Sequence, residues 1–515
     1  QPEARHADGV PAREAESRQM NRLLAIAALL WTSTLGALAA ESPPPNIVWI
    51  IADDMSPDIA AYGAPGVKTP HLDRLAAEGR RYTRAYATAP VCSSSRSAFI
   101  LGCYQTTTGL HPHDTENPQP LPAPYKPLPT LLREAGWFVT NCAAPGSQRN
   151  GRAITKGKTH YNFAHDPKVL FNGDDWRKRR PGQPFFAQFQ ITEPHRPFPI
   201  PTQFDEAALA AIKLPPNYPE HPLSRRDWYA YERSVEVVDQ RVGAILAQLE
   251  KEGVLENSLV MFFADHGRPM PWGKQWLSVE GLQVPLLIRG PGVTPRSVET
   301  GLVSLIDLAP SVLKAAGQPM PAWMEGRPVL QGVPADRPYL FAARDRCGDA
   351  MDRIRALISP DTLLVRNHLT SLSRLNWSSY KEDSYPGMPL LRVLQAAGKL
   401  EPFPARWLAP LRPDIEFYDL KADPLGVHDV AADPANAATI RKQSTALTAW
   451  SETSQDQGLR GDPATEPSLA EIQQAKRQDY RRTWTRRLGK PEPTDAERLA
   501  WWEQSYGLAQ GTLAK

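Results

Sequence analysis

Hydrophobic positions along the chain alternate between continuous runs of strand length and stretches with helical spacing, the pattern of an α/β protein. Asn46 to Ile51 is a continuous apolar run, predicted to be a buried parallel strand, and it leads straight into Ala52-Asp53-Asp54. Thr69-Pro70 reads as the N-cap and first residue of a helix, with Leu72, Leu75 and Ala76 on its apolar face and Gly79 as its stop. Arg81 to Ala87 reads as a strand, Ser93 to Leu101 as the first turns of a helix, Leu128 to Ala135 as a helix stopped by Gly136, and Trp137 to Thr140 as a strand. Pro184 to Ile191 is a second continuous run and delivers Glu193-Pro194-His195-Arg196-Pro197 at its end. The longest predicted helix, Ser224 to Glu252, carries Val235, Val238, Val242, Ile245, Leu246 and Leu249 on one face, with Gly253 as terminator. Ser258 to Phe263 is a third buried run, entering Ala264-Asp265-His266-Gly267; Val284 to Ile288 and Ser304 to Ala316 follow as strand and helix.

Three polar clusters therefore each follow a strand. Open α/β sheets place ligands beyond the carboxyl ends of their strands, so these clusters are expected to converge on one cleft. Composition changes near Pro334, and the short strands Ile354 to Ile358, Thr362 to Asn367 and Glu416 to Leu420 predict a smaller C-terminal α+β subdomain reaching about Trp450. Two capping-box patterns, Ser468-x-x-Glu471 and Thr494-x-x-Glu497, predict a helical tail. The expected division is an upstream extension and signal peptide at 1–42, a catalytic domain at 43–350, the subdomain at 351–450 and the tail at 451–515.

Charge and composition narrow the functional classes. A net charge of +3 over 515 residues is too small to argue for a nucleic-acid partner, and no nucleic-acid motif is present. Four cysteines, Cys92, Cys103, Cys142 and Cys347, are too few for a disulfide scaffold. Met20-Asn21-Arg22 precedes the apolar run Leu23 to Ala40, which ends in the small-x-small arrangement Ala37-Leu38-Ala39. The run is too weakly apolar for a permanent span, so export to the periplasm is expected, with Met20 as initiator and residues 1–19 upstream of it.

The candidate chemistry lies in the loops after the strands. Asp53, Asp54 and Asp265 offer hard oxygen ligands for a divalent cation, and His266 adds a nitrogen. Arg96, Lys158 and Lys274 balance those carboxylates and, with a dication, leave a positive hole for an anion. The run Ala89 to Gly102 closely resembles the site at which sulfatases convert a cysteine into formylglycine: Cys92, Ser95, Arg96 and Gly102 match, while Ser94 stands where the family carries Pro or Ala. Gly157-Lys158-Thr159-His160 resembles the sulfatase Gly-Lys-x-His element, His195 the second family histidine, and Lys274 the late lysine. Ile415 to Leu420, followed by Asp423-Pro424, resembles a late segment of the same enzymes.

Residues 44 to about 450 thus resemble a sulfatase of the alkaline phosphatase superfamily. The resemblance implies a large mixed, mostly parallel sheet flanked by helices, with a small antiparallel sheet in the C-terminal subdomain. It implies hydrolysis of sulfate monoesters by a formylglycine at residue 92. Arg96 would orient its hydrated form, Lys158 and Lys274 would hold sulfate oxygens, His160 would lie near the reacting diol and His195 would protonate the leaving group. The metal set would be Asp53, Asp54, Asp265 and His266, with Ca²⁺ first and Mn²⁺ or Zn²⁺ as alternatives because of the histidine. The implied partners are a sulfated saccharide substrate and a formylglycine-generating or equivalent maturation enzyme. Two alternatives stay open at this point: a phosphonate or phosphodiester hydrolase, suggested by Asp265-His266-Gly267, and a catalytically silent binder of sulfated glycans, suggested by Ser94. His111, His113 and Asp114, and Arg344-Asp345-Arg346, are expected to be structural ion pairs before sugar contacts. The basic residues Arg477, Arg481, Arg482, Arg486 and Arg487 are expected to be a solvated helix face. Oligomeric state is left open by the sequence.

Overall fold

The apolar runs assemble into one large sheet. The computed structural model describes residues 44–149 and 151–508; the extension and signal peptide expected at 1–42 lie outside the described residues. Strands β1 (Asn46–Ala52), β2 (Arg80–Tyr86), β3 (Phe138–Ala143), β4 (Phe185–Ile191), β5 (Ser258–Ala264) and β6 (Gln283–Arg289) are joined by short segments β7 (Ser297–Glu299) and β8 (Val303–Ser304). Their order is β8-β2-β6-β5-β1-β4-β3, with β7 also paired to β2. Pairing is parallel except at β6, which runs antiparallel to both β2 and β5. Every residue of β1, β4 and β5 is buried, which is why those runs show no alternation.

Register decides where the chemistry sits. Ala52 pairs with Ile191 on one side and Ala264 on the other. The ladder then continues one step, the Asp53 N–H donating to Ile191 O at 3.0 Å and the Asp265 N–H to Ala52 O at 3.1 Å. Three strands end level, so Asp53, Asp54, the loop after Ile191 and Asp265 leave the sheet side by side.

Helix α1 (Pro70–Glu78), helix α2 (Cys92–Leu101), the long helix α3 (Pro222–Lys251) and helix α4 (Leu308–Ala315) follow the predicted pattern to within a few residues. All of α2 is buried. Its Phe99 ring meets Trp49 of β1 edge-on at 5.9 Å and Phe263 of β5 at 5.4 Å, which docks the helix on the strands that carry the polar clusters. Gly102 closes α2 at φ 73°, a left-handed conformation open to glycine at no steric cost.

The second sheet is antiparallel, in the order β9 (Leu340–Arg344), β10 (Ile354–Ile358), β11 (Thr362–Asn367), β12 (Ile415–Asp419). It begins at Leu340, so the division drawn between 350 and 351 falls between its first and second strands. β9 is short, and only its pairing with downstream β10 makes it part of the small sheet. Helices α5 (Ser379–Ser384) and α6 (Gly387–Ala396) fill the β11–β12 connection, and α7 (Ala437–Thr453) follows. The tail forms α8 (Leu469–Leu488) and α9 (Asp495–Ser505), each opened by its capping box. Neither floats in solvent: α8 packs on α5 and α9 on α6, and Trp484 is fully buried. From Pro45 onward the chain forms a single unit. Among the described residues no helix is long and apolar enough to cross a membrane.

Candidate active site

Cys92 is the first residue of α2, and Val91 before it is extended with no side-chain cap. The first-turn N–H groups therefore face the space around Cys92 and favour an anion there. Cys92 Sγ lies 3.2 Å from His266 Nε2, 3.5 Å from Asp54 Oδ1 and 3.5 Å from Lys274 Nζ. The serines behind it are all committed. Ser93 Oγ is 2.9 Å from His113 Nδ1, and Ser94 Oγ donates to His111 O at 3.0 Å. Ser95 Oγ donates to Asp265 O at 2.5 Å and Ser97 Oγ to Ser93 O at 2.7 Å. A buried polar helix is stable only because these hydroxyls find acceptors.

The carboxylates are held by cations from distant segments. Arg96 Nε donates to Asp265 Oδ2 at 2.8 Å, its Nη2 pairs with Asp53, and its Nη1 donates to Gln190 Oε1 at 2.9 Å. Lys158 Nζ reaches Asp53 Oδ2 at 2.7 Å, and Lys274 Nζ reaches Asp54 Oδ2 at 2.8 Å. Asp265 Oδ1 accepts the backbone N–H groups of Asp54 and His266, each at 3.0 Å, and His266 Nε2 lies 3.0 Å from Asp54 Oδ1. Gly267 is demanded by crowding: a Cβ there would come 1.9 Å from Glu280 O.

Burial pushes all three aspartates up, and their neighbours decide the outcome. Lys158 and Arg96 outweigh burial at Asp53 and leave it lowered; Lys274 and His195 hold Asp54 well below the usual carboxylate range. At Asp265 burial prevails over His266 and Arg96, so its pKa is raised. The Cys92 thiol, opposed by burial, is still drawn well below its ordinary value by Lys158, Lys274 and His266. Burial also opposes charge on His266, yet Asp265 and Asp54 raise it to about 10, a measure of how strongly this spot attracts a cation.

Two further histidines flank the thiol. His160 Nε2 lies 2.6 Å from Asp114 Oδ1, and although burial works against it, that hydrogen bond and Cys92 raise its pKa to about 9. His195 Nδ1 donates to Arg196 O at 2.6 Å, which leaves Nε2 turned toward Asp54 Oδ2 at 3.8 Å. Among the described residues, six non-glycine positions have positive φ, and Asp54, Asp114, His160 and Gln275 of this neighbourhood are four of them. Backbone strain of this kind collects where the surrounding structure fixes functional geometry.

The donor set fits a divalent cation. Asp54, Cys92, Asp265 and His266 are all buried, and their ligand atoms lie within 4.8 Å of one another. Two carboxylates and an imidazole suit a cation that accepts hard oxygen together with nitrogen. Asp53 stands beside this set, both of its oxygens engaged by Arg96 and Lys158. A cleft of about 590 Å³ opens above, lined in part by Asp53, Lys156, Lys158, Thr192 and His195.

The structure brings together all ten residues singled out from the sequence: Asp53, Asp54, Cys92, Arg96, Lys158, His160, His195, Asp265, His266 and Lys274. It adds Gln190, which orients Arg96, and shows Asp114, expected from the sequence in a structural ion pair, holding His160. Gln188 and Gln190 interrupt an otherwise apolar buried strand, a polar signal the run itself carried. Arg344, Asp345 and Arg346 form ion pairs with Asp352, Arg355 and the Asp462–Glu466 pair, as expected of structural groups. In the tail, Arg477 and Arg481 share Glu492, whereas Arg487 turns inward and donates to Asp383 O at 2.7 Å.

Comparison with known proteins agrees with this geometry. The sulfatase family profile matches residues 45–318. An ulvan-active sulfatase of Formosa agariphila is 30% identical over 456 residues, covering 79% of this chain and 74% of its own. A protein solved in complex with its substrate D-glucosamine-2-N,6-O-disulfate superposes with a TM-score of 0.55, covering 82% of this chain and 99% of its own at 18% identity. The phosphonate monoester hydrolase of Agrobacterium radiobacter gives 0.57, covering 81% and 97% at 17% identity. These two structural likenesses are of fold alone, and so do not separate sulfate from phosphonate chemistry. The family match and the 30% relative do: the chain belongs to the sulfatase family of the alkaline phosphatase superfamily, and it is a sulfuric ester hydrolase.

Proposed function

We propose that the protein hydrolyses sulfate esters of a sulfated carbohydrate, using a formylglycine made from Cys92 and a divalent cation. The observation that carries this reading is the position of Cys92 Sγ, within 3.5 Å of Lys274, Asp54 and His266 at the start of a helix. The sugar is supported by the 30% identical relative, an ulvan-active sulfatase.

Oxidised to an aldehyde and hydrated, residue 92 would supply one hydroxyl to attack sulfur and a second whose deprotonation expels sulfate and restores the aldehyde. Bound by Asp54, Asp265 and His266, with Asp53 alongside, the cation would polarise the sulfate and lower the pKa of the attacking hydroxyl. Ca²⁺ is favoured by the oxygen donors, and Mn²⁺ or Zn²⁺ are admitted by His266. Arg96 orients residue 92 and neutralises Asp53 and Asp265. Lys158 and Lys274 hold the sulfonate oxygens, which offsets their charge against the carboxylates. His195, its ring oriented by the Nδ1–H bond to the Arg196 carbonyl, presents Nε2 to the departing oxygen and gives up a proton there from its doubly protonated form. His160, held protonated by Asp114 and lying near the diol, can donate a hydrogen bond to it.

Cys92 is 1% exposed, so a maturation enzyme must reach it before the chain folds. Export to the periplasm is part of the same proposal and is supported by the Leu23 to Ala40 run; cell fractionation tests it. The function is tested by the mass of the Cys92 peptide and by turnover of sulfated saccharides. An aldehyde in place of the thiol is expected, together with complete loss of turnover in Cys92→Ala; undiminished activity in that variant rejects the reading. Sulfate, phosphodiester and phosphonate esters of one chromogenic alcohol rank the chemistries directly, with the sulfate expected first.

A further inference from the structure

Helix α5, in the β11–β12 connection, carries none of the family motifs, yet it leans over the reacting centre. The Lys274 ammonium, which touches Asp54 and Cys92, lies 4.9 Å from the centre of the Tyr380 ring. The centre of the His195 ring lies 6.0 Å from that of Tyr380. Tyr380 therefore borders both the group assigned to the sulfate oxygens and the one assigned to the leaving oxygen. Its side chain is only partly buried, while its hydroxyl is shielded and has no hydrogen-bond partner in the structure. The neighbouring Tyr385, its ring 5.6 Å from that of Tyr380, is fully buried and also leaves its hydroxyl unpartnered.

Shielded hydroxyls rarely go without an acceptor, and an acceptor-rich ligand at this spot would satisfy one. We propose that Tyr380 is a substrate-contacting residue whose hydroxyl donates a hydrogen bond to the sulfuryl group of the bound ester. The sulfuryl end is favoured over the sugar because the ring rests on Lys274 and His195, both of which face Asp54. Tyr385 does not reach the substrate; its ring stacks under the Arg196 guanidinium at 4.4 Å and backs Tyr380. The segment between the last two strands of the small sheet thereby completes a pocket that the large sheet begins.

This inference rests on the proposed function, and the experiment separates the two. Tyr380→Phe keeps the ring, and its thermal midpoint and Cys92 oxidation are expected to match the parent protein. Its kcat/KM is expected to fall at least about 10-fold, as for loss of one donor to developing negative charge, on a small aryl sulfate and on a sulfated saccharide alike. Its affinity for inorganic sulfate, measured by titration, is expected to fall about 5-fold, in line with one lost hydrogen bond. An unchanged rate on the aryl sulfate overturns the proposal, whether or not the saccharide rate falls. So does a fall in thermal midpoint large enough to account for the lost turnover. Should the parent protein turn over no sulfate ester while sulfate titration still depends on Tyr380, the proposed function fails and the contact stands.

Discussion

Ser94 is the position at which the nucleophile's segment departs from its family, and its hydroxyl has a local duty: it donates to the buried carbonyl of His111 at 3.0 Å. Ala, one of the residues the family uses there, would leave that carbonyl short of one donor. Ser94→Ala is expected to cost about 1 kcal/mol of stability, read by denaturant unfolding, while kcat and the oxidised fraction of Cys92 hold. A fall in oxidation would place the role of Ser94 in maturation. Glu232 makes a different case at the same scale. Burial, with Asp58 and Glu236 assisting and Arg233 opposing, raises its pKa from 4.5 to about 7. The folded state therefore keeps a proton that the unfolded chain gives up. The associated stability is complete below pH about 4.5 and is lost as pH rises through about 7. Glu232→Gln is expected to remove that slope and to gain about 1–2 kcal/mol at pH 8, checked by unfolding across the pH range.

Among elements, α2 is the one on which catalysis depends, and its position is fixed at both ends. Phe99 wedges it against Trp49 and Phe263, and Arg96 ties it to Asp53 and Asp265 at the tips of β1 and β5. Phe99→Ala is expected to cost about 3–5 kcal/mol. Because the loss falls on the docking of the helix, metal content measured by elemental analysis is expected to drop with it. Loss of stability with metal content intact would mean that the site is held without the Phe99 wedge.

For the whole molecule, the tail reaches the active site through a relay of contacts. Tyr506, just past α9, donates to Asp227 Oδ1 at 2.7 Å, and Asp227 pairs with Arg196 at 2.6 Å, next to His195. Arg196 also donates to Pro269 O at 2.7 Å, in the loop after Gly267. Tyr506→Phe is expected to lower stability by about 1 kcal/mol and to reduce kcat more than KM changes, since it loosens the proton donor and leaves the sulfate-holding lysines in place. Equal kcat in the two proteins would confine the tail to a structural part.

Much of this protein was legible in its sequence because burial leaves a local trace. The runs at Asn46–Ile51, Pro184–Ile191 and Ser258–Phe263 are apolar but for Asn46, Gln188, Gln190 and Ser258, since strands covered on both faces have no solvent side to record. The residues that follow them are polar because strand ends open onto a cleft. Capping boxes in the tail are equally local and equally readable. What the sequence left undetermined depends on pairing between distant segments. Alignment of Ala52 with both Ile191 and Ala264 brings the acidic residues level. Membership of Leu340–Arg344 in the small sheet follows from its partner strand, not from its own composition. The engagement of Asp53 by Arg96 and Lys158, the Asp114–His160 contact and the approach of Tyr380 to Lys274 join positions between 43 and 106 residues apart. Contacts at that separation leave no periodicity in the chain, and only the packed structure decides them.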